Sequence, residues 1–291
     1  MIMALSLKAP VLEQARGIVL PGLPRKYCIT ESLSETTNSV IYLGFDLETE
    51  QQIAVKECKY GDDFVREVTA SAKIFSGADN AHIVPILDSY ADQNYLIMPF
   101  LEGGSLWDLR KTEDTITPEK VFAITAQIGK ALERVHAVGL VHNDLKSGNV
   151  LLASAEGLSH YSTSVALLTD FGSSFGSDIE PGWGAGTIEY MAPEKLRDSA
   201  PPTPLADIYS LGLLIHELLT DTLLYHASRK LSQREQNKLH LRQRAEPVPP
   251  HEKIPDKVLK VIRTACETDP PKRYQNVPEM VNDLEKAVYS A

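Results

Sequence analysis

The chain has 291 residues, long for one ordinary domain and short for two large ones, so a single unit built as two lobes is the first expectation. A hydrophobic fraction of 43% and a charged fraction of 23% exclude wholesale disorder and any fibrous or low-complexity protein. With 29 basic against 39 acidic residues the net charge is −10, which opposes general affinity for nucleic-acid backbones and anionic membranes. Cys28, Cys58 and Cys266 lie far apart and form no C-x-x-C pair, so neither a disulfide framework nor a zinc site is suggested, and a reducing cytoplasm fits.

The opening stretch from Met1 to Pro24 is broken by Lys8, Glu13 and Arg16, which leaves no signal-peptide core. No later run reaches the about 18 uninterrupted apolar residues of a spanning helix, so no membrane anchor is expected. Residues 1–26 read as an extension packed on, or frayed from, the first lobe. Five β-rich runs follow: Tyr27 to Leu33, Val40 to Phe45, Gln51 to Cys58, Ile83 to Tyr90 and Tyr95 to Phe100. One helical segment interrupts them, opened by Asp62 and Asp63 and carrying Phe64, Val65, Val68 and Ile74 at helical spacing.

After Glu102-Gly103-Gly104, a link between lobes, the pattern turns helical. Thr117-Pro118-Glu119 supplies a cap, a first-turn proline and a first-turn acid. Val121, Phe122, Ile124, Ile128, Leu132 and Val135 then make one apolar stripe, stopped by Gly139. The polar run from Ala153 to Ser164 reads as the tip of an extended hairpin. Leu205 to Leu219 is apolar on nearly all sides, as a buried central helix would be. Ser228 to Pro250 reads as a solvated helix followed by an extended loop, and Val258 to Cys266 and Val277 to Val288 as two further helices.

The chemistry concentrates in His142-Asn143-Asp144-Leu145-Lys146-Ser147-Gly148-Asn149 and, twenty residues later, Asp170-Phe171-Gly172. Two carboxylates and a carboxamide at strand ends can hold a Mg²⁺ ion and a hydroxyl nucleophile together, the minimum equipment for moving a phosphoryl group from ATP. A polar turn followed by an Asp-Gly hairpin would produce much the same residues. Ile53-Ala54-Val55-Lys56 closes an apolar strand on a lysine. In an ATP site such a lysine neutralises the α and β phosphates if a carboxylate holds its ammonium, and Glu67 on the following helix is the best candidate.

Taken together, these motifs resemble those of eukaryotic-type (Hanks-type) serine/threonine protein kinases from about Tyr27 to Leu284. Gly186-Thr187-Ile188-Glu189-Tyr190-Met191-Ala192-Pro193-Glu194 resembles the end of an activation segment, and Asp207-Ile208-Tyr209-Ser210-Leu211-Gly212 the D-x-W-S-x-G opening of a central helix, with Tyr for Trp. Asp269-Pro270-Pro271-Lys272-Arg273 resembles the late segment whose arginine pairs with the A-P-E glutamate, here Glu194. The resemblance implies an α+β, bilobal kinase-like fold, with an antiparallel sheet and one main helix in an N-lobe over 27–101 and a mostly helical C-lobe over 102–291. Together these make one kinase domain at 27–288.

The resemblance also assigns roles. Asp144 is the catalytic-loop aspartate, Lys146 reaches the transferring phosphate, Lys56 and Glu67 are the phosphate-binding pair, and Asn149 and Asp170 bind Mg²⁺, with Mn²⁺ as an alternative. Aligned to the family pattern, Met98 is the gatekeeper and Pro99 to Leu101 the adenine hinge, while Leu33, Ile41, Ala54 and Leu151 sandwich the ring. The D-L-K spacing with Thr187 implies protein substrates phosphorylated on Ser or Thr. His142 and Phe171 are packing residues.

Three departures stand out. The phosphate loop has Ser34, Thr36 and Ser39 where glycines are usual, which predicts a stiffer lid and hydroxyl donors in place of close backbone approach. The step from Ile41 to Lys56 is nonetheless the usual fifteen residues. Asn143 replaces the arginine that would bind a phosphorylated activation segment, which predicts activity independent of phosphorylation at Ser173, Ser174 or Ser177. The eleven-residue step from Lys56 to Glu67 is short, and Asp62 and Asp63 are alternative partners. Two other functions stay open: a nucleotide-binding pseudokinase scaffold, and a small-molecule phosphotransferase of the aminoglycoside or choline kinase type.

Overall fold

The computed structural model describes residues 18–77, 80–109, 116–153, 165–176, 186–197, 201–226 and 231–290. Most of the N-terminal extension, the 154–164 hairpin tip and Ser177 lie outside the described residues. The chain divides into two compact units, Met1–Ala72 with Val84–Phe100, and Lys73–Ile83 with Leu101–Ala291.

In the first unit β1 (Tyr27–Glu35), β2 (Ser39–Asp46), β3 (Gln51–Cys58), β4 (Asp88–Tyr90) and β5 (Tyr95–Pro99) form an antiparallel sheet in the order β1-β2-β3-β5-β4. Helix α1 (Gly61–Ile74) follows β3. Strand side chains alternate between faces. Ile53, Val55, Tyr95 and Ile97 therefore share one core with Tyr27, Ile29 and Leu20, whereas Cys58 and Leu96 face Phe64 of α1. Lys56 has the same parity as Cys58, so it projects on the helix side.

Two expectations are corrected here. The Ile83 to Tyr90 run pairs as a strand only at Asp88–Tyr90, while Ile83, itself part of the second unit, makes an isolated parallel bridge within that unit to Leu168. Pro85 removes a backbone donor from the middle of this run, and His82 takes a left-handed φ of 65°. Val65 is 59% exposed, because only Phe64, Glu67, Ala70 and Ile74 share the buried face of α1.

The second unit is mainly helical: α2 (Leu106–Leu109), α3 (Pro118–Ala137), α4 (Pro193–Arg197), α5 (Pro204–Thr220), α6 (Gln233–Gln243), α7 (Asp256–Ala265) and α8 (Val277–Tyr289). Helix α3 buries Val121, Ile124, Ile128, Leu132 and Val135 and packs against α5 and α8, with Phe122 edge-on to Tyr289. It ends where Gly139 takes a φ of 74°, a conformation costly for any residue with a Cβ. Helix α5 is buried from Ala206 to Thr220, and α7 packs against it.

Two short ladders interleave at the end of α3. Strand β6 (Leu140–Val141) pairs with β9 (Phe175–Gly176), and β7 (Val150–Leu152) pairs with β8 (Ala166–Leu168). The loop 142–149 between β6 and β7 is thereby set beside the turn 169–174 between β8 and β9. Helix α6 departs from the fully solvated reading. A Ser232/Glu235 capping box starts it, but His240 and Arg244 at its far end are completely buried. Apolar periodicity missed this face because its anchoring side chains are polar.

Candidate active site

In the first unit, the Lys56 ammonium donates to Glu67 Oε2 at 2.6 Å, and both side chains are buried. Strand parity points the lysine at α1, and Glu67 sits one turn beyond Phe64 on the inward face, so the short eleven-residue step suffices. Asp63 instead pairs with Arg66, and Asp62 is exposed. Ala54 lies opposite Met98, and Ile41 opposite Lys56. Met98 is buried, Pro99 ends β5, and Leu33 is 43% exposed beside a register shift in β1.

The glycine-free tip of the β1–β2 hairpin satisfies itself. Thr36 Oγ1 accepts the backbone N–H groups of Asn38 and Ser39 at 3.2 and 3.1 Å and donates to Ser39 O at 3.2 Å. Lys59 clamps the same turn through Thr36 O and Glu35 Oε1. The Thr36 hydroxyl expected to face phosphate is thus turned onto its own loop, which also occupies two amides that a glycine loop would present to phosphate.

In the second unit, Asp207 in the first turn of α5 accepts the backbone N–H groups of His142 and Asn143, both at 2.9 Å, and approaches His136 Nε2 at 2.8 Å. Burial alone would raise its pKa, but His136 and the amide donors hold the carboxyl below its ordinary value. His142 is fully buried. Its Nδ1 accepts Asp144 N–H, its Nε2 donates to Thr169 O, and its ring meets Phe171 edge-on, so it braces the loop as a packing residue should.

Around Asp144 the polar groups converge. Oδ1 accepts Thr187 N–H at 2.7 Å and Thr187 Oγ1–H at 2.8 Å, while Oδ2 accepts Lys146 Nζ at 2.7 Å and Asn149 Nδ2 at 3.1 Å. Lys146 Nζ also reaches Thr187 Oγ1 at 2.9 Å. Asn149 spends its amide N–H₂ on Asp144, which leaves its Oδ1 free of hydrogen bonds among the described residues. Asp170 is half-buried at a left-handed φ of 67°. A carboxylate and a carboxamide oxygen fit a hard divalent cation whose remaining ligands are phosphate oxygens and water.

Leu151 is half-buried on β7, and Leu101 O accepts Gly104 N–H at 3.2 Å. Glu194 and Arg273 form a two-pronged ion pair at 2.8 and 2.6 Å. Of the three serines offered as possible phosphorylation sites, Ser174 is fully buried.

Some residues escaped sequence reasoning. Glu217, fully buried in α5, accepts hydrogen bonds from Tyr190 OH and from Ser147 Oγ, and burial beside this carboxylate pushes the Tyr190 phenol well above its ordinary pKa. An acid set among buried apolar residues near the end of α5, well away from Asp207 in its first turn, was the available signal. Arg244 lies over the Tyr225 ring at 4.1 Å and donates to Ile188 O and Glu189 O at 2.8 and 3.1 Å, which clamps the segment just after Thr187.

A lysine–glutamate pair, a catalytic-type loop hung on a buried aspartate and a glutamate–arginine lock are the features expected of a protein kinase domain. Residues 27–284 match the family described as protein kinase domain. The chain belongs to that family. It is 30% identical over 279 residues to a probable serine/threonine-protein kinase of Clostridium acetobutylicum, covering 90% of this chain and 40% of the relative. A probable serine/threonine-protein kinase of Clostridium perfringens is 28% identical over 277 residues, covering 91% and 38%. Mouse serine/threonine-protein kinase PAK 1 is 31% identical over 218 residues, covering 72% and 38%. The chain thus spans about two fifths of the length of these relatives. ATP and a divalent metal are the ligands this family implies. No helix among the described residues is long and apolar enough to cross a membrane.

Proposed function

We propose that this chain transfers the γ-phosphoryl group of ATP to serine or threonine hydroxyls of protein substrates. The observation that carries the reading is the Asp144 carboxylate, which already accepts a hydroxyl, that of Thr187, beside the Lys146 ammonium. An acceptor serine or threonine would take this place. Its oxygen bonds to the γ-phosphorus as the bond to the ADP oxygen breaks, and its proton passes to Asp144. Lys146 neutralises charge on the transferring group, and Lys56, fixed by Glu67, holds the α and β phosphates. Asn149 and Asp170 would hold Mg²⁺, which supplies neutralisation of the phosphate oxygens.

Met98, Pro99 and Leu101 would receive adenine, with Leu33, Ile41, Ala54 and Leu151 as its apolar walls, and the Ser34 to Ser39 tip would cover the phosphates. The acidic balance favours protein over nucleic acid as partner, and the unpaired pattern of cysteines favours the cytoplasm. The self-satisfied hairpin tip supports a second reading, a nucleotide-binding scaffold. Incubation with Mg-ATP followed by mass-spectrometric phosphosite mapping separates the two. Phosphoserine or phosphothreonine in wild type, falling about 10²–10⁴-fold in Asp144→Asn, supports transfer. A Mg-ATP thermal shift with no phosphosite in either protein favours the scaffold.

A further inference from the structure

Asn143 stands immediately before Asp144 in a left-handed conformation, φ 72°. Its N–H goes to Asp207 Oδ1 and its side-chain Nδ2 to Ser173 O at 2.8 Å. Lys195 Nζ donates to both the carbonyl oxygen of Asn143, at 3.2 Å, and its side-chain Oδ1. Ser173 lies three residues beyond Asp170, and Lys195 directly follows Glu194. One asparagine therefore ties both ends of the 170–194 segment to the residue next to the catalytic aspartate.

The ammonium is also packed beneath Gly186. A Cβ on that glycine would fall 2.8 Å from Asn143 O and 3.2 Å from Lys195 Nζ, and its φ is 111°. Gly186 precedes Thr187, which sits on Asp144, so the lysine supports the site from below. Burial pushes the Lys195 pKa down, against the opposing pull of Asp207, Asp144 and Glu194. The amine is thus held in a tight, acid-lined place.

We propose that Lys195 is a positioning residue for phosphotransfer: through Asn143 it fastens the two ends of the 170–194 segment around Asp144 with no phosphate group in the link. This rests on the phosphotransfer reading above. Asn143 is neutral, so the cation on this side of the loop is supplied by the helix that follows the segment.

The test uses the full chain with Mg-ATP and dephosphorylated casein, comparing wild type, Lys195→Met, Lys195→Arg, Asn143→Ala and the Lys195→Met/Asn143→Ala double variant. Lys195→Met is expected to lower kcat about tenfold or more while KM for ATP stays within about twofold, the loss of a charge-assisted hydrogen bond away from the nucleotide. Lys195→Arg restores most of the rate. The double variant is no worse than the poorer single one, because the two residues act as a unit.

Hydrogen exchange of peptides covering 171–176 and 186–197 gives a readout independent of activity. Faster exchange in Lys195→Met and Asn143→Ala, but not in Lys195→Arg, supports the link even if casein is never phosphorylated and the phosphotransfer reading falls. A kcat within twofold of wild type for Lys195→Met, additive losses, or unchanged exchange would overturn the proposal. If Lys195→Met does not fold, Lys195→Gln is read by the same criteria.

Discussion

The tip of the β1–β2 hairpin and the loop 142–149 each depart from the family pattern, and they absorb the departure in opposite ways. At the tip, Thr36 closes its bonds within three residues, and Lys59, which reinforces it from outside, is itself surface-exposed. In the catalytic-type loop, Asn143 and its neighbours bond to residues 27 to 65 positions away. A local, solvated network can be rewritten cheaply, because water replaces a lost partner. A buried long-range network cannot, because each abandoned amide stays unpaired.

The sharpest way to break this comparison is Asp207→Asn. The new amide offers one acceptor where the carboxylate served three groups, and it turns a donor toward the amide of His142 or Asn143. A loss of about 3–5 kcal/mol in urea unfolding is expected, the cost of breaking a buried charged network. A loss below about 1 kcal/mol would mean that the loop is not hung on Asp207.

Next in size, taken one histidine at a time, is an acid effect in the same unit. Burial and the neighbouring His251 push His216 down to about 4, and burial with Arg244 and His226 pushes His240 down to about 4. In the unfolded chain both titrate near about 6.5. The folded form therefore binds fewer protons, so its stability is complete above that value and drains as pH falls toward 4. The loss amounts to about 3 kcal/mol per histidine at most. Tm should drop steeply between pH 7 and 4.5, and His216→Gln should flatten the curve. A flat wild-type profile would contradict the buried neutral histidines.

Glu67→Gln leaves the buried Lys56 facing a neutral partner and should reduce kcat/KM for ATP about 10–100-fold. Unchanged phosphotransfer would remove Glu67 from its assigned place. The smallest effect is expected at the tip. Thr36→Ala frees two exposed amides, costs less than about 1 kcal/mol and leaves KM for ATP unchanged or lowered within about threefold. A destabilisation as large as that of Asp207→Asn would erase the contrast between the two regions.

How much was legible follows the same division. Short β-rich runs announced β2 and β3, and a stretch apolar on nearly all sides announced α5, because burial of hydrocarbon writes itself directly into composition. Spacing and resemblance named Lys56, Glu67, Asp144, Asn149 and Asp170, and the structure brings Lys56 to Glu67 and Asn149 to Asp144. What did not show were polar residues buried by tertiary partners. Glu217 needs Tyr190 and Ser147, Arg244 needs the carbonyls of Ile188 and Glu189, and Lys195 needs Asn143, at separations that no local pattern encodes. The reading of Ile83 to Tyr90 as one strand failed for a simpler reason, a proline weighed too lightly against β-branched neighbours.

The anchoring of the loop by Asp207 also orders events in time. During synthesis the chain emerges from its N-terminal end, and the amides of His142 and Asn143 have no carboxylate to meet until 65 and 64 further residues have been made. Arg273 reaches Glu194 later still, across 79 residues. A nascent chain that already carries every residue of the 142–149 loop therefore lacks the means to hold it in shape, whereas Lys56 needs only the eleven residues that follow to find Glu67.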